Sequence, residues 1–293
     1  MSNNTKVAKK KTTDVSTNTL SDLESFAGQG TENIGARDVK LPIIKVLSRT
    51  TPNLDEIEEQ YGAKPGDILN EVTGSFWNSK KGMLVVPCHY VNTFIEWADR
   101  GSSESTGAPI QIHRDAAIMQ QTNRADDGKD RLENGHYVED TANHFVYILD
   151  DEYNAVETAL ITMKSTQKKK SRVWNTMMMS KKLKGSKGFF VPPTWATVYR
   201  LTTVKEENSK GQWYGWSITF DRFLDKPTDE ATLQSTMAFS DSSKKLDLMS
   251  KVDYSRVSQK LLTIRSHQKL MVRWTVKTFH SKNAQRIIST FSR

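Results

Sequence analysis

A stretch of about fifty residues that begins at Lys164 interleaves positive charge with aromatic rings, and this combination restricts the chain more than any other feature. Its first 24 residues, KSTQKKKSRVWNTMMMSKKLKGSK, contain nine Lys or Arg and no Asp or Glu. The segments GFFVPPTWATVYRLTTV and GQWYGWSITF then supply the rings. Clustered cations beside flat side chains are typical of surfaces that bind a phosphate backbone and stack bases. The stretch therefore favours a nucleic-acid-binding protein.

Positive charge is concentrated in three segments of the chain. Residues 1–11 carry +4, residues 164–187 carry +9 and residues 251–293 carry +9, whereas the net charge of all 293 residues is only +8. The rest of the chain is therefore acidic. Because like charges repel one another, this segregation favours a polyanionic partner over a role in solubility alone.

The composition also bears on the cellular compartment. Cys88 is the only cysteine, which excludes an intrachain disulfide and a thiolate zinc cage and fits a reducing environment. The sequence has no long apolar run, and its first residues lack the apolar segment of a secretory signal. We expect a protein of the cytoplasm, the host cell cytoplasm if the protein is viral, that does not contact a membrane.

Three regions follow from the distribution of polar and apolar residues. Residues 1–37 are rich in Ser, Thr, Asn, Gly and Lys and are predicted to form a disordered basic arm. Residues 38–226 are predicted to form the folded core. Residues 227–293 are polar, basic and loosely periodic, and Pro227 is the last Gly or Pro, so that helix is expected over 229–240 and much of 242–280.

Within the core, short apolar runs between turn residues predict strands. Leu41, Ile44 and Leu47 are spaced for a short helical turn, and Lys64-Pro65-Gly66-Asp67 has the composition of a tight turn. The long polar segment 99–143 is expected to leave the sheet. Strands are predicted at 82–87 and 90–97, broken at Pro87 by an edge or a bulge, and at 144–149 and 155–163, joined by a hairpin turn at 150–154.

The basic window predicts a helix that begins after Ser165 or Thr166 and ends near Lys184, before Gly185. Four-residue spacing places Lys168, Arg172, Thr176, Ser180 and Lys184 on one ridge, and a second ridge is expected to pack, formed by Val173, Trp174, Met177 and Met178.

Two strands follow Pro192-Pro193. In the second, alternation directs Tyr214, Trp216, Ile218 and Phe220 to the core and Trp213 to the other face, where Gly215 would let a base come close. In the first, the face of Trp195, Tyr199 and Leu201 competes with the face of Val198 and Arg200, and both assignments stay open.

The sequence gives little support for catalysis. Its six histidines show no metal-ligand spacing, and no Walker motif or nucleophile elbow is present. Asp150, Asp151, Glu157 and Lys164 are residue types that a metal-dependent nuclease uses. We expect a protein that is not an enzyme, with no catalytic residue, no metal and no cofactor, and we keep the nuclease as an alternative.

Several segments resemble early-region proteins of tailed bacteriophages, some of which are described as single-stranded DNA-binding proteins. The similar segments are LPIIKVLS (41–48), AKPGDILN (63–70), VVPCHY (85–90), KSTQKKKSRVWN (164–175) and PTWATVYRLTTVKEENSKGQWYGWSI (193–218). The resemblance implies an α+β fold with a β-rich, OB-like barrel core and helical insertions. It also implies a groove lined by Lys168, Lys169, Lys170, Arg172, Trp174, Trp213 and Tyr214. The basic C-terminus departs from the acidic tail common in phage single-strand binders.

The predicted function is to coat and protect single-stranded DNA during phage replication or recombination, with phage replication or recombination proteins as further partners. A virion or assembly protein that contacts DNA is the alternative from another class. The oligomeric state stays open. The predicted nucleic-acid-binding residues are Lys164, Lys168, Lys169, Lys170, Arg172, Trp174, Lys181, Lys182, Lys184, Lys187, Trp195, Tyr199, Trp213 and Tyr214.

Overall fold

The structure is a computed structural model that describes residue 26 and residues 29–33, 41–209 and 211–245. The chain divides into two compact units, residues 1–40 and residues 41–293, and nearly all described residues belong to the second. Most of the predicted N-terminal arm and the C-terminal region beyond residue 245 lie outside the described residues, so the predictions for them stay predictions. No described helix is long and apolar enough to cross a membrane.

Thirteen strands and three α-helices make up the described part of the second unit. The strands are β1 (Ile43–Val46), β2 (Ile68–Asn70), β3 (Phe76–Trp77), β4 (Met83–Trp97), β5 (Gln111–His113), β6 (Asn123–Arg124), β7 (Asp130–Arg131), β8 (Tyr137–Leu149), β9 (Ala155–Lys164), β10 (Leu183–Gly185), β11 (Gly188–Phe190), β12 (Thr197–Asn208) and β13 (Gly211–Phe223). The helices are α1 (Leu54–Tyr61), α2 (Lys168–Ser180) and α3 (Glu230–Lys245). Short 3₁₀ turns are formed by Ala116–Gln121, Ser165–Gln167, Thr194–Ala196 and Pro227–Asp229.

Eleven strands form one curled half-barrel sheet. Its order is β13-β12-β4-β8-β9-β1-β2-β3, with β5 on β4, β7 on β8 and β6 on β7. The pairs are antiparallel except for β1 and β9, which are parallel. The strand-rich α+β class is therefore confirmed. The OB-like barrel is not confirmed, because an OB-fold is a five-stranded Greek-key barrel, whereas this sheet continues through eight strands in line.

Helices cover the two faces of this sheet. Met83 and Val85 of β4 pack in a core cluster with Trp174 and Met178 of α2. Leu84 and Val86, which alternate with them, pack in a second cluster against Leu233 and Phe239 of α3. Helix α2 thus lies on one face and α3 on the other.

The same two-sided cover answers the question left open for β12. Tyr199 and Leu201 belong to the cluster beneath α2, and Val198 belongs to the cluster beneath α3. Neither face of this strand is simply the buried one, because a helix covers each.

The predicted helical turn at Leu41, Ile44 and Leu47 is wrong. Residues 43–46 form β1, which pairs with β2 and β9. The predicted tight turn at 64–67 is confirmed: the Asp67 amide donates to the Lys64 carbonyl at 2.9 Å, and Gly66 has φ of 100°. Ile44 packs in the main core and Leu47 packs against α1, so that the three-residue spacing reflects two separate clusters.

The predicted strands at 82–87 and 90–97 are a single strand, β4. A register shift against β8 occurs between Pro87 and His89, so the predicted bulge is confirmed but the break is not. The excursion is shorter than predicted, because β8 begins at Tyr137 and pairs with the second half of β4. The hairpin of β8 and β9 is confirmed, and Asp150 fixes its turn by accepting from the amides of Glu152 and Asn154 at 3.0 and 2.7 Å.

Candidate nucleic-acid interface

Helix α2 carries the predicted basic ridge and follows β9 after the 3₁₀ turn Ser165–Gln167. It ends at Ser180 rather than near Lys184, because the chain becomes extended at Lys181 and enters β10. Trp174 and Met178 are buried and Met177 is partly buried, as predicted for the packing ridge, but Val173 is 53% exposed. Arg172, Thr176 and Ser180 face solvent on the other ridge.

A groove of about 860 Å³ lies between the start of α2 and the hairpin of β12 and β13. Gln167 accepts a hydrogen bond from the Trp216 amide at 2.9 Å, which ties the helix start to β13. Glu206 forms the floor: it accepts from the Trp213 indole nitrogen at 2.9 Å and pairs with Lys170 at 2.6 Å. The pKa of Glu206 is lowered, mainly because the Lys170 ammonium donates a hydrogen bond to its carboxylate.

Gly215 has a different role in this groove from the one predicted. A Cβ at this position would lie 2.4 Å from Oε2 of Glu206 and 3.0 Å from the Gln167 amide nitrogen. The missing side chain therefore makes room for two side chains of the protein, so the space above Gly215 is already filled.

A second groove of about 600 Å³ lies on the other side of the same helix start, against β7 and β8. Lys168 pairs there with Asp140 at 2.6 Å and also donates to Asn92. Arg124 pairs with Asp130 at 2.9 Å across the same groove. Arg172 lines the outer wall and is exposed.

The two grooves share Ser165, Thr166 and Lys169. We call the combined depression the α2 trough. No side chain caps α2 or the 3₁₀ turn Ser165–Gln167 before it, so the positive end of the helix dipole adds positive potential at this place. Lys169 and Arg172 form no ion pair within the described part of the chain, and they are the two cations that the trough offers to an anion.

Acidic partners for the basic window come from distant strands. Lys164 pairs with Glu139 at 2.8 Å, Lys168 with Asp140 and Lys170 with Glu206. Six of the nine basic residues form no ion pair with a described residue, namely Lys169, Arg172, Lys181, Lys182, Lys184 and Lys187. A third of the basic residues in the window are thus paired with acids that the local sequence does not show.

Trp174 and Tyr199 are corrections to the predicted site. Both are fully buried, and Trp174 stacks on His144 with ring centroids 4.4 Å apart. Their rings are covered by protein on all sides, so neither can stack on a base. Burial, and then the charge of Lys168, lower the pKa of His144 to about 3, so this imidazole is neutral inside the core.

Two further aromatic residues also lie outside the trough. Trp195 packs in the cluster beneath α3, on the other face of the sheet. Tyr214 lies over the 64–67 turn, where a Cβ on Gly66 would come within 2.6 Å of its ring. Of the predicted aromatic residues, only Trp213 lines the trough, and it is half-buried.

The remaining predicted lysines lie past the far end of α2. Lys181 places its ammonium 4.4 Å from the centre of the Phe220 ring. Lys182, Lys184 and Lys187 are exposed along the hairpin of β10 and β11. Because a helix of thirteen residues is about 20 Å long, these lysines form a second basic region, separate from the trough.

Comparison with known proteins decides the family. The model of the Pam3 phage gp34-like protein family matches residues 9–248. The chain belongs to this phage family. No curated protein and no solved structure matches the chain. The predicted resemblance to phage proteins is therefore confirmed, whereas its description as single-stranded DNA binding stays a prediction.

The alternative nuclease site does not assemble in this family member. Asp150 and Asp151 lie in the turn before β9, and Lys164 ends that strand, about 30 Å away for ten residues. Each of these side chains also has another partner, such as Lys81 for Asp151 at 2.6 Å. The described residues contain no group of three or more His, Cys, Asp or Glu placed to hold a metal.

Proposed function

We propose that this phage protein binds single-stranded DNA in the α2 trough, coats it during replication or recombination, and does so without catalytic turnover. The observation that carries the proposal is the meeting of two grooves at an uncapped helix start, with Lys169 and Arg172 exposed and unpaired among the described residues. Membership of a phage family supports the setting.

The trough supplies the two kinds of contact that single strands need. Phosphates are attracted by Lys169, Arg172 and the positive end of the helix dipole at the start of α2. The ring of Trp213 would stack on one face of a base. Its indole nitrogen donates to Glu206, which fixes the orientation of the ring. Stacking on an aromatic ring is tolerant of sequence, because every base has a flat face.

The DNA strand would bind in the trough, whereas in an OB-fold it binds on an open face of the sheet. The curled sheet positions α2 and the hairpin of β12 and β13. The DNA strand would run from the groove that holds Trp213, past Lys169 at the helix start, to the groove that holds Arg172. The residues proposed to contact DNA here are therefore Lys169, Arg172 and Trp213. Lys164, Lys168 and Lys170 are engaged with carboxylates and would hold the walls in place.

Fluorescence anisotropy with labelled single-stranded DNA, duplex DNA and RNA, each across a salt series, tests the proposal. We expect single-stranded DNA to bind most tightly, to quench tryptophan fluorescence, and to lose affinity with a log-log salt slope of about −1.4 or steeper, since each phosphate contact adds about −0.7. Absence of binding to every nucleic acid at low salt would contradict the proposal. A high copy number in purified virions would then favour a structural role in the particle.

A further inference from the structure

Strands β10 and β11 form a short hairpin with two chemically different sides. Residues 186 and 187 make its two-residue turn, and the register pairs Leu183 with Phe190 and Lys184 with Phe189. On the Leu183 side, Phe190 packs over Gly185, where an added Cβ would meet the ring at 3.2 Å. Lys181 continues this side and lies over Phe220.

The other side, which we call the outer face, is not covered by any residue that the structure describes. Lys184 and Phe189 are cross-strand partners on it, and alternation adds Lys182 and Val191. All four side chains are exposed, and Phe189 is 71% exposed. Cross-strand neighbours of this kind have Cβ atoms about 5 Å apart, so the side chains of Lys184 and Phe189 leave the hairpin next to each other.

The outer face also lacks a negative charge. No Asp or Glu occurs between Glu157 and Glu206, and Lys182, Lys184 and Lys187 form no ion pair with the described residues. An exposed ring costs free energy in water unless a partner covers it. The flanking cations favour an anionic partner, and a nucleotide of an unpaired strand combines negative charge with a flat ring that can cover Phe189.

We propose that the outer face is a second contact for the same single strand, in which Phe189 stacks on one base and Lys184 and Lys182 pair with the adjacent phosphates. This inference rests on the proposed function. Trp174 is buried and cannot stack on a base. The inference assigns a stacking role to Phe189 instead, about one helix length from the trough. An anionic lipid surface is the competing partner, and the test includes it.

The test uses the full-length chain and two labelled strands of about 20 nucleotides, one of thymidine and one abasic. Phe189→Ala is expected to weaken binding of the thymidine strand about tenfold and to leave binding of the abasic strand unchanged, because only the former offers a ring. Met237→Ala, a change at an exposed apolar side chain of α3 on the other face of the sheet, should alter neither by more than about twofold. The thermal midpoint of both variants should match the wild type, since neither side chain packs in the core.

Five results would overturn the inference. Equal affinity of Phe189→Ala and wild type for thymidine would remove the stacking contact alone, and the trough would stand. Equal losses on both strands, or an equal loss with Met237→Ala, would show that the ring does not act by stacking. Phe189-dependent sedimentation with phosphatidylserine vesicles, with thymidine binding unchanged, would assign the face to lipid. Failure of the wild type to bind either strand would remove the proposed function and this inference together.

Discussion

His144 on β8 stacks on Trp174 of α2 inside the core, with ring centroids 4.4 Å apart and planes 27° apart. Ser171, one turn earlier on α2, is within hydrogen-bond distance of the same imidazole at 2.8 Å. The basic helix is therefore fastened to the sheet by the side chains that alternate with its exposed cations. Replacing residues of the buried face of α2 should reduce stability, whereas replacing residues of its exposed face should reduce nucleic-acid binding.

Trp174→Ala should destabilise the protein by about 3–5 kcal/mol, because it removes a fully buried indole from the centre of the main cluster. Urea unfolding followed by circular dichroism measures this cost. A variant that kept its stability and lost only nucleic-acid affinity would show that the indole contacts a ligand. Trp213→Phe is the matched change in the trough, and it should abolish ligand-induced fluorescence quenching with little effect on unfolding.

His144 should make the fold sensitive to acid. Its pKa is lowered to about 3 in the folded chain from an ordinary value of 6.5, so between these values only the unfolded chain takes up the proton. Above pH 6.5 this group does not reduce the free energy of unfolding. Below pH 6.5 the free energy of unfolding decreases by about 1.4 kcal/mol for each pH unit. Between pH 7 and pH 5 the free energy of unfolding of the wild type should decrease by about 2 kcal/mol more than that of His144→Gln. Parallel curves for the two proteins would contradict a buried neutral imidazole.

Lys168 and Arg172 are one turn apart on α2 but should differ in what they support. Lys168→Ala leaves Asp140 without its ammonium partner and should cost about 2 kcal/mol of stability. Arg172→Ala removes an exposed side chain and should change stability by less than about 0.5 kcal/mol. Chemical denaturation of both variants checks the contrast, and a larger cost for Arg172→Ala would reverse the assignment of structural and binding roles.

Local sequence signals predicted much of the fold correctly. The 64–67 turn, the hairpin of β8 and β9 and the core face of β13 each depend on neighbouring residues, and each is present. The predicted helical turn at 41–47 was wrong because a spacing of three does not require a helix. Ile44 of β1 packs in the main core, and Leu47 in the following loop packs against α1. The start of β8 was missed because Glu139 and Asp140 are polar, yet they pair with β4 and receive Lys164 and Lys168.

The candidate site was less predictable, because it depends on contacts between residues far apart in the chain. The acids that neutralise Lys164, Lys168 and Lys170 come from β8 and β12, and nothing near the lysines indicates them. Trp174 satisfied two interpretations, a packing ridge and a basic helix, and only the position of the sheet decides between them. The pairing of Phe189 with Lys184 was not predicted, because it depends on the register of a short hairpin that the sequence does not indicate.

Glu206→Gln should increase affinity for single-stranded DNA. The substitution removes one negative charge from the floor of the trough and releases Lys170, while the amide oxygen can still accept from Trp213. We expect several-fold tighter binding at low salt and a salt slope steeper by about 0.7. Glu207→Gln is the matched control, since it removes the same charge without releasing a lysine, and its slope should not change. Unchanged or weaker binding by Glu206→Gln would show that the trough floor does not face the ligand.

The salt dependence of single-strand binding by charge-deletion variants tests the trough most directly. Lys169→Ala combined with Arg172→Ala should reduce the log-log slope by about 1.4, two phosphate contacts at about 0.7 each. Lys244→Ala removes a cation from α3, on the other face of the sheet, and should leave the slope unchanged. A double variant with the wild-type slope, or a Lys244→Ala variant with an equal reduction, would contradict binding in the α2 trough.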